Sequence, residues 1–285
     1  MTIRAGVVGS PARHSLSPLI HGAWLRAAGI DGEYALYDLA PEGFGAFLDE
    51  ARAKGLRGVN VTLPFKEQAL AAAATATPDA VAAGAANLLI FEDGGLVAHN
   101  TDGYGMLRAL AEQAPGLDLD GAKVVVLGAG GAARGAVAAL AAAGAEVVVV
   151  NRTQGRADAL VAAVSAASPR PVKLSTASLA MAAPRAALII NATSAGLNGA
   201  DDGGFDLSAA PTTAVVMDMV YKPLVTPFLA QAAARGHRTV DGLAMLIGQA
   251  RPSFEAFYGA PPPDDVDVRA LCLAALGLAA TERKA

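Results

Sequence analysis

The chain predicts an α/β protein built as two domains, and three observations carry that reading. Strand-like and helix-like runs alternate from end to end. At 285 residues the chain is too long for one ordinary core. A polar, glycine-containing stretch, Asp118–Gly121, separates two series of such runs.

In the first series, strands are expected at Ile3–Gly9, Glu33–Asp38 and Gly58–Thr62. A hairpin follows, Leu88–Phe91 and Leu96–Ala98, turning at Asp93-Gly94-Gly95. Helical patterns fill the gaps at Pro18–Ala28, Gly43–Ala53 and Lys66–Ala74. The second series has strands at Lys123–Leu127, Glu146–Val150, Leu188–Ala192 and Ala214–Asp218. The loop Ala195–Leu207, rich in Gly and Asp, is expected to be mobile. Two helical patterns, about Ala244–Tyr258 and Val266–Ala280, close the sequence. Most of the sheet is expected to be parallel.

Composition narrows the function classes. The hydrophobic fraction is 53%, but much of it is alanine, which serves tight helix–sheet contacts rather than a bilayer. The nearest thing to an apolar span, Ala69–Phe91, is broken by Pro78 and Asp79. The N-terminus runs straight into a strand pattern and lacks a signal-peptide layout. The one cysteine, Cys272, allows no internal disulfide and fits a reducing cytoplasm as a buried structural residue. Net charge is -4 with dispersed basic residues, so nucleic acid and anionic membrane are poor partners. His14, His21, His99 and His237 form no metal-ligand spacing, so no metal is expected.

The buried-strand run Lys123–Leu127 leads at once into Gly128-Ala129-Gly130-Gly131-Ala132-Ala133 and then a helical pattern from Arg134. This is the dinucleotide fingerprint in its proper context. Gly128 permits the tight turn, Gly130 lets the backbone approach a pyrophosphate, and Ala133 lets helix pack on strand. The helix N-terminus adds N–H groups and a positive dipole for the phosphates. The domain from 104 to 239 is thereby read as a Rossmann-type unit. Its second strand ends at Asn151-Arg152-Thr153, where a site for NAD would place an acid against the ribose 2′-hydroxyl. Arg152 and Arg156 stand there instead, and an arginine fork suits a 2′-phosphate. The cofactor expected is NADP, and a hydride exchange between a small alcohol and its ketone follows.

Polar residues gather where the N-terminal strands end, the usual place for ligands in open α/β sheets. The runs are Ser15-Leu-Ser17-Pro18-Leu-Ile-His21, Asn60-Val-Thr62-Leu-Pro-Phe-Lys66, Gly84-Ala-Ala-Asn87 and Asn100-Thr101-Asp102-Gly103. From the residues alone, Lys66 fits a solvated lysine as well as a proton donor, and Asp102 fits a turn. Ser17 before Pro18 also reads as a helix N-cap.

Taken in order with Asn151-Arg152-Thr153-x-x-Arg156, Asn191-Ala-Thr193-Ser194-x-Gly196, Asp218-x-x-Tyr221-x-Pro-x-x-Thr226-Pro227 and Gly242-Leu-Ala-Met245-Leu-x-x-Gln249, these motifs resemble shikimate dehydrogenase over nearly the whole chain. The resemblance implies NADPH-dependent, reversible reduction of 3-dehydroshikimate to shikimate, in chorismate and aromatic amino-acid biosynthesis. It implies catalytic roles for Lys66 and Asp102. It implies substrate contacts from Ser15, Ser17, Asn60, Thr62, Asn87, Tyr221 and Gln249. Cofactor contacts would come from Gly128, Ala129, Gly130, Gly131, Ala132, Asn151, Arg152, Thr153, Arg156, Thr193, Ser194, Gly242 and Met245, although Met245 equally suits a core position. The substrate domain would be 1–103 with 240–285, the Rossmann domain 104–239, and the active site the cleft between them. The partner expected is a small-molecule substrate, and the protein a cytoplasmic monomer or homodimer. Two departures from the family pattern, Gly22 after His21 and Leu88 after Asn87, are expected near the substrate. Rival readings are a quinate/shikimate dehydrogenase using NAD, and a catalytically silent NADP sensor.

Overall fold

The structure, a computed structural model, describes residues 2–168, 172–197 and 204–278. The chain divides into two compact units, one formed by 1–81, 85–101 and 249–285, the other by 82–84 and 102–248.

The first unit begins β1 (Ile3–Gly9), α1 (Ser17–Ala28), β2 (Gly32–Asp38), α2 (Phe44–Ala53), β3 (Gly58–Val61) and α3 (Lys66–Ala72). A short β4 (Thr75–Ala76), α4 (Pro78–Ala83), β5 (Leu88–Glu92) and β6 (Gly95–His99) follow. The sheet order is β2-β1-β3-β5-β6-β4. β1 pairs in parallel with β2 and β3, but β5 runs antiparallel to both β3 and β6. This sheet is therefore mixed, because the short turn at Asp93-Gly94 returns the chain as a hairpin and no crossover helix intervenes. Two residues of β4 are too few to leave a periodic signal in sequence.

The second unit opens with α5 (Asp102–Gln113), β7 (Lys123–Leu127), α6 (Gly131–Ala142), β8 (Glu146–Val150), α7 (Gln154–Ala167) and β9 (Lys173–Thr176). Then come α8 (Leu179–Ala182), β10 (Leu188–Asn191), β11 (Val215–Asp218), α9 (Pro227–Ala234) and β12 (Arg238–Val240). All pairings are parallel, in the order β12-β11-β10-β7-β8-β9. Counted within the unit this is the doubly wound 3-2-1-4-5-6 order, and the winding reverses between β7 and β10. Val124, Val126, Val147 and Val149 face the α6 side with Ala133, Val137 and Leu140. Val125, Leu127 and Val148 face the other side with Ile189, Val216 and Phe228. Burial on both faces explains why these strands read as unbroken apolar runs. The alanine content has the same cause: a Cβ at Gly103 of α5 would lie 2.6 Å from Ala139 Cβ of α6, so only small residues fit.

The chain ends with α10 (Gly242–Tyr258) and α11 (Val268–Ala275). Asp267 caps α11, its side chain accepting from the Ala270 N–H at 2.9 Å. The expected extension of that helix to Ala280 and residues 198–203 of the expected loop lie outside the described residues. The compact units part after Thr101 and after Gly248, against expected boundaries at 103 and 239. Val240, Ala244 and Met245 are buried in the second unit's core, which draws the start of α10 into it. Among the described residues, no helix is long and apolar enough to cross a membrane. Burial pushes the Cys272 thiol up to about 11, so it is unreactive.

His21 on α1 is enclosed by Trp24, Tyr34, Phe254, Phe257 and Tyr258, stacked on Tyr34 at 4.0 Å. Both ring nitrogens are buried without a hydrogen-bond partner among the described residues. Burial alone lowers its pKa from the ordinary 6.5 to about 3. Between those values the unfolded chain takes up a proton that the folded protein refuses. Stability from this residue is thus complete above the unfolded value and lost as pH falls through that window. Denaturant unfolding at several pH values should show a steep loss of stability below about pH 6.5. His21→Phe should flatten that slope, and an unchanged slope would place the acid sensitivity elsewhere.

Candidate active site

The two units each gather one set of the expected residues. In the first, Ser15 lies just before α1. Its Oγ accepts from the Ser17 N–H at 3.2 Å, which leaves its proton free to donate. Ser17 is the first residue of α1 and is buried, but it is not the N-cap. Leu16 holds that position, and the Ser17 side chain hydrogen-bonds the Tyr34 hydroxyl instead. Thr62 follows β3, packed so tightly on the end of β1 that a Cβ at Gly9 would overlap its Cγ2. Lys66 is the first residue of α3 and only 9% exposed.

Asn87, Thr101 and Gln249 form a connected set. Asn87 Nδ2 donates to Thr101 Oγ1 at 2.9 Å and to Gln249 Oε1 at 3.3 Å. The Thr101 N–H donates to Asn87 Oδ1 at 2.8 Å. Asn60 stands behind this set. Its Oδ1 accepts from the Tyr34 hydroxyl at 2.8 Å, and its Nδ2 donates to Asn87 O at 3.1 Å and Ser253 Oγ at 2.8 Å. With both amide protons committed inward, Asn60 braces Asn87. Leu88 belongs to the buried core at 1% exposure, paired with Asn60 and His99 in the sheet. At Gly22 a side chain would meet only Arg26 Nη1, at 3.4 Å.

In the second unit, Asp102 opens α5 and is buried. Gly128 follows β7 with φ +112°, and a Cβ there would lie 3.0–3.1 Å from Thr193 and Ala192. Glycine is therefore required by both conformation and space. Ala129 follows, and Gly130 is the N-cap of α6 in extended backbone with no side-chain cap, ahead of Gly131, Ala132 and the buried Ala133. A Cβ on Gly130 would meet nothing within 4 Å. The turn thus presents open space at a helix N-terminus, as a pyrophosphate needs. Asn151 folds over the end of β8, its Nδ2 donating to Thr153 O at 2.8 Å. Arg152 and Arg156 are exposed beside it, and their guanidinium groups have no ion-pair or hydrogen-bond partner among the described residues. These are the features an incoming 2′-phosphate requires, so the residues present fit NADP.

Thr193 and Ser194 follow β10, and Tyr221 follows β11. Gly242 opens α10 pressed against the chain, since a Cβ there would lie 2.5 Å from Met219 O. Met245 is buried in the core at 7% exposure. Asp218, at the end of β11, accepts from Asn191 Nδ2, the Val220 N–H and Thr226 Oγ1. Burial raises its pKa, and those three hydrogen bonds pull it back.

Known proteins resemble this chain along most of its length. The model of the shikimate dehydrogenase substrate-binding domain matches residues 7–89, and that of shikimate/quinate 5-dehydrogenase matches 109–220. A shikimate dehydrogenase (NADP(+)) of Caulobacter vibrioides is 54% identical over 277 residues, 96% of either chain.

The chain belongs to the shikimate dehydrogenase family.

Among solved structures, the shikimate 5-dehydrogenase of Thermus thermophilus in complex with NADP(H) and shikimate matches with TM-score 0.81 and 39% identity, over 92% of this chain and 95% of that one. The quinate dehydrogenase of Corynebacterium glutamicum in complex with NAD matches with TM-score 0.84 at 30% identity, over 97% and 99%. Tyr34, Thr101, Ser253 and Asp218 went unassigned in the sequence reading. Tyr34 and Ser253 lie inside ordinary strand and helix patterns and leave no local signal. Asp218 did carry one, as a lone acid ending a buried strand.

The two glycines separate binding from folding. Gly130→Ala should leave the melting temperature unchanged and raise the KM for NADPH, because its Cβ meets cofactor space and no protein. Gly128→Ala should lower the melting temperature as well. Equal thermal losses in both variants would contradict this division.

Proposed function

We propose that this protein catalyses the NADPH-dependent, reversible reduction of 3-dehydroshikimate to shikimate, a step in the synthesis of chorismate and aromatic amino acids. The observation that carries the reading is a conjunction in one family member. Its first unit gathers the serine, asparagine, glutamine and lysine set, and its second unit offers an open glycine turn followed by two exposed arginines. The functional domains follow the two compact units.

The bound cofactor supplies the hydride. Hydride addition leaves an oxyanion on the former carbonyl, which needs a proton from a positioned acid. Lys66, held at the start of α3, gives that proton from Nζ, and Asp102 hydrogen-bonds the reacting hydroxyl. Ser15 holds the carboxylate, joined by Ser17 once its hydroxyl turns from Tyr34. Thr62, Asn87, Tyr221 and Gln249 meet the ring hydroxyls and the carboxylate, with Asn60 acting through Asn87. Gly128 through Ala132 receive the pyrophosphate, and Asn151, Arg152, Thr153 and Arg156 the adenosine 2′-phosphate. Thr193, Ser194, Gly242 and Met245 serve the nicotinamide side. One buried thiol and a metabolite of this kind fit the cytoplasm.

Lys66→Ala should lower kcat roughly a hundredfold or more while KM for shikimate changes little. Loss in KM alone would make Lys66 a binding residue, and an unmodified protein that binds NADP without shikimate turnover would be a sensor. Arg152→Ala should weaken NADPH about tenfold and leave NADH unaffected, since one charge-assisted hydrogen bond is of that size. Equal loss for both cofactors would remove the 2′-phosphate clamp.

A further inference from the structure

Asp218 touches none of the groups assigned above, yet two of their loops end on it. Its side chain is wholly buried at the end of β11. Oδ1 accepts from Asn191 Nδ2 at 3.1 Å and from the Val220 N–H at 2.9 Å, while Oδ2 accepts from Thr226 Oγ1 at 2.6 Å.

The direction of every proton in this cluster follows from the carboxylate. Thr226 Oγ1 also accepts from the Leu229 N–H at 3.2 Å, as the N-cap of α9, so its single proton goes to Asp218. Asn191 can turn only its Nδ2 toward an anion. Its Oδ1 is therefore left to accept from the Thr193 N–H at 3.0 Å and Thr193 Oγ1 at 2.7 Å. Asn191 Nδ2 also reaches Ala195 O at 3.3 Å, and the Ala195 N–H donates to Thr193 Oγ1 at 3.0 Å. One carboxylate thus closes the segment 219–226, which carries Tyr221, and orients the turn 192–195, which carries Thr193 and Ser194. The tight seat of Met219 against Gly242 clamps the first of these segments from the other side.

We propose that Asp218 is a positioning residue that sets the Tyr221 segment and the Thr193 turn together, so that one buried group governs substrate and cofactor binding without touching either. The proposal rests on the reading of Tyr221 as a substrate contact and of Thr193 as a cofactor contact. Only a carboxylate accepts at both ends in a space of this size. An amide at the same place would turn an N–H group toward Asn191 and Val220 or toward Thr226, and in the second case the Thr226 hydroxyl would have to reverse to accept.

The test compares Asp218→Asn, Thr226→Val, Thr226→Ser, Tyr221→Phe and the double variant Thr226→Val/Tyr221→Phe. The readouts are steady-state kinetics for shikimate and NADP, and NADPH affinity by fluorescence titration, which needs no turnover. Asp218→Asn should weaken both ligands, each roughly tenfold. Thr226→Val should raise KM for shikimate alone, and Thr226→Ser, which keeps the hydroxyl, should restore it. The double variant should be no worse than Tyr221→Phe, because Thr226 acts through Tyr221. Additive losses in the double variant, or an Asp218→Asn protein with both affinities intact, would overturn the proposal. If Asp218→Asn does not fold, the Thr226 series decides, since it keeps the carboxylate. Tyr221→Phe with unchanged KM for shikimate would remove Tyr221 from the site and overturn the proposal, while leaving shikimate turnover standing. An unmodified protein that fails to turn over shikimate would sink the functional reading, and the NADPH titration would still judge Asp218.

Discussion

A polar side chain buried at the end of a strand has to find its partners inside the protein, because the desolvation of an unsatisfied group costs about 1–3 kcal/mol or more. A residue cluster in each unit is organised by this constraint. Asn60 at the end of β3 spends its amide on Tyr34, Asn87 and Ser253. Asp218 at the end of β11 spends its carboxylate on Asn191, Val220 and Thr226. Both side chains are buried and turned to partners inside the protein. Each fixes its neighbours, and a fixed hydroxyl or amide binds without first losing rotamer freedom.

Close backbone approach is the complementary requirement. Gly9 admits Thr62, Gly128 admits the Thr193 turn, and Gly242 admits Met219. A Cβ at any of the three would push apart segments that carry expected site residues. Gly130 is different in kind, because its missing Cβ opens space toward solvent rather than toward protein. The small residues of this alanine-rich chain thus divide into those that let helices and strands pack and those that admit the cofactor.

Much of the architecture was legible in sequence wherever burial imposed a pattern. The valine runs of β7 and β8 are unbroken because helices cover both faces, and the glycine turn follows β7 directly. The edges of the second sheet were not legible. β9 is a polar edge strand with alternate residues exposed, and β12 has three residues, so neither needs an apolar run. Ser17 before Pro18 has the residue types of an N-cap, but tertiary bonding to Tyr34 overrides that local preference. Asn60 stood among the expected substrate contacts, and its three partners come from distant parts of the chain. Long-range hydrogen bonds of this kind leave no trace in local spacing, which is why the bracing groups were hidden while the presenting groups were not.

The absence of an acid directly after β8 and the two exposed arginines in its place make cofactor choice the point on which chemistry and fold meet. The most direct measurement is the ratio of kcat/KM for NADPH to that for NADH in the reduction of 3-dehydroshikimate by the unmodified protein. The structure predicts a ratio of roughly ten or more, the contribution of at least one charge-assisted hydrogen bond to the 2′-phosphate. A ratio near one or below it, or no reduction of 3-dehydroshikimate with either cofactor, would contradict the account.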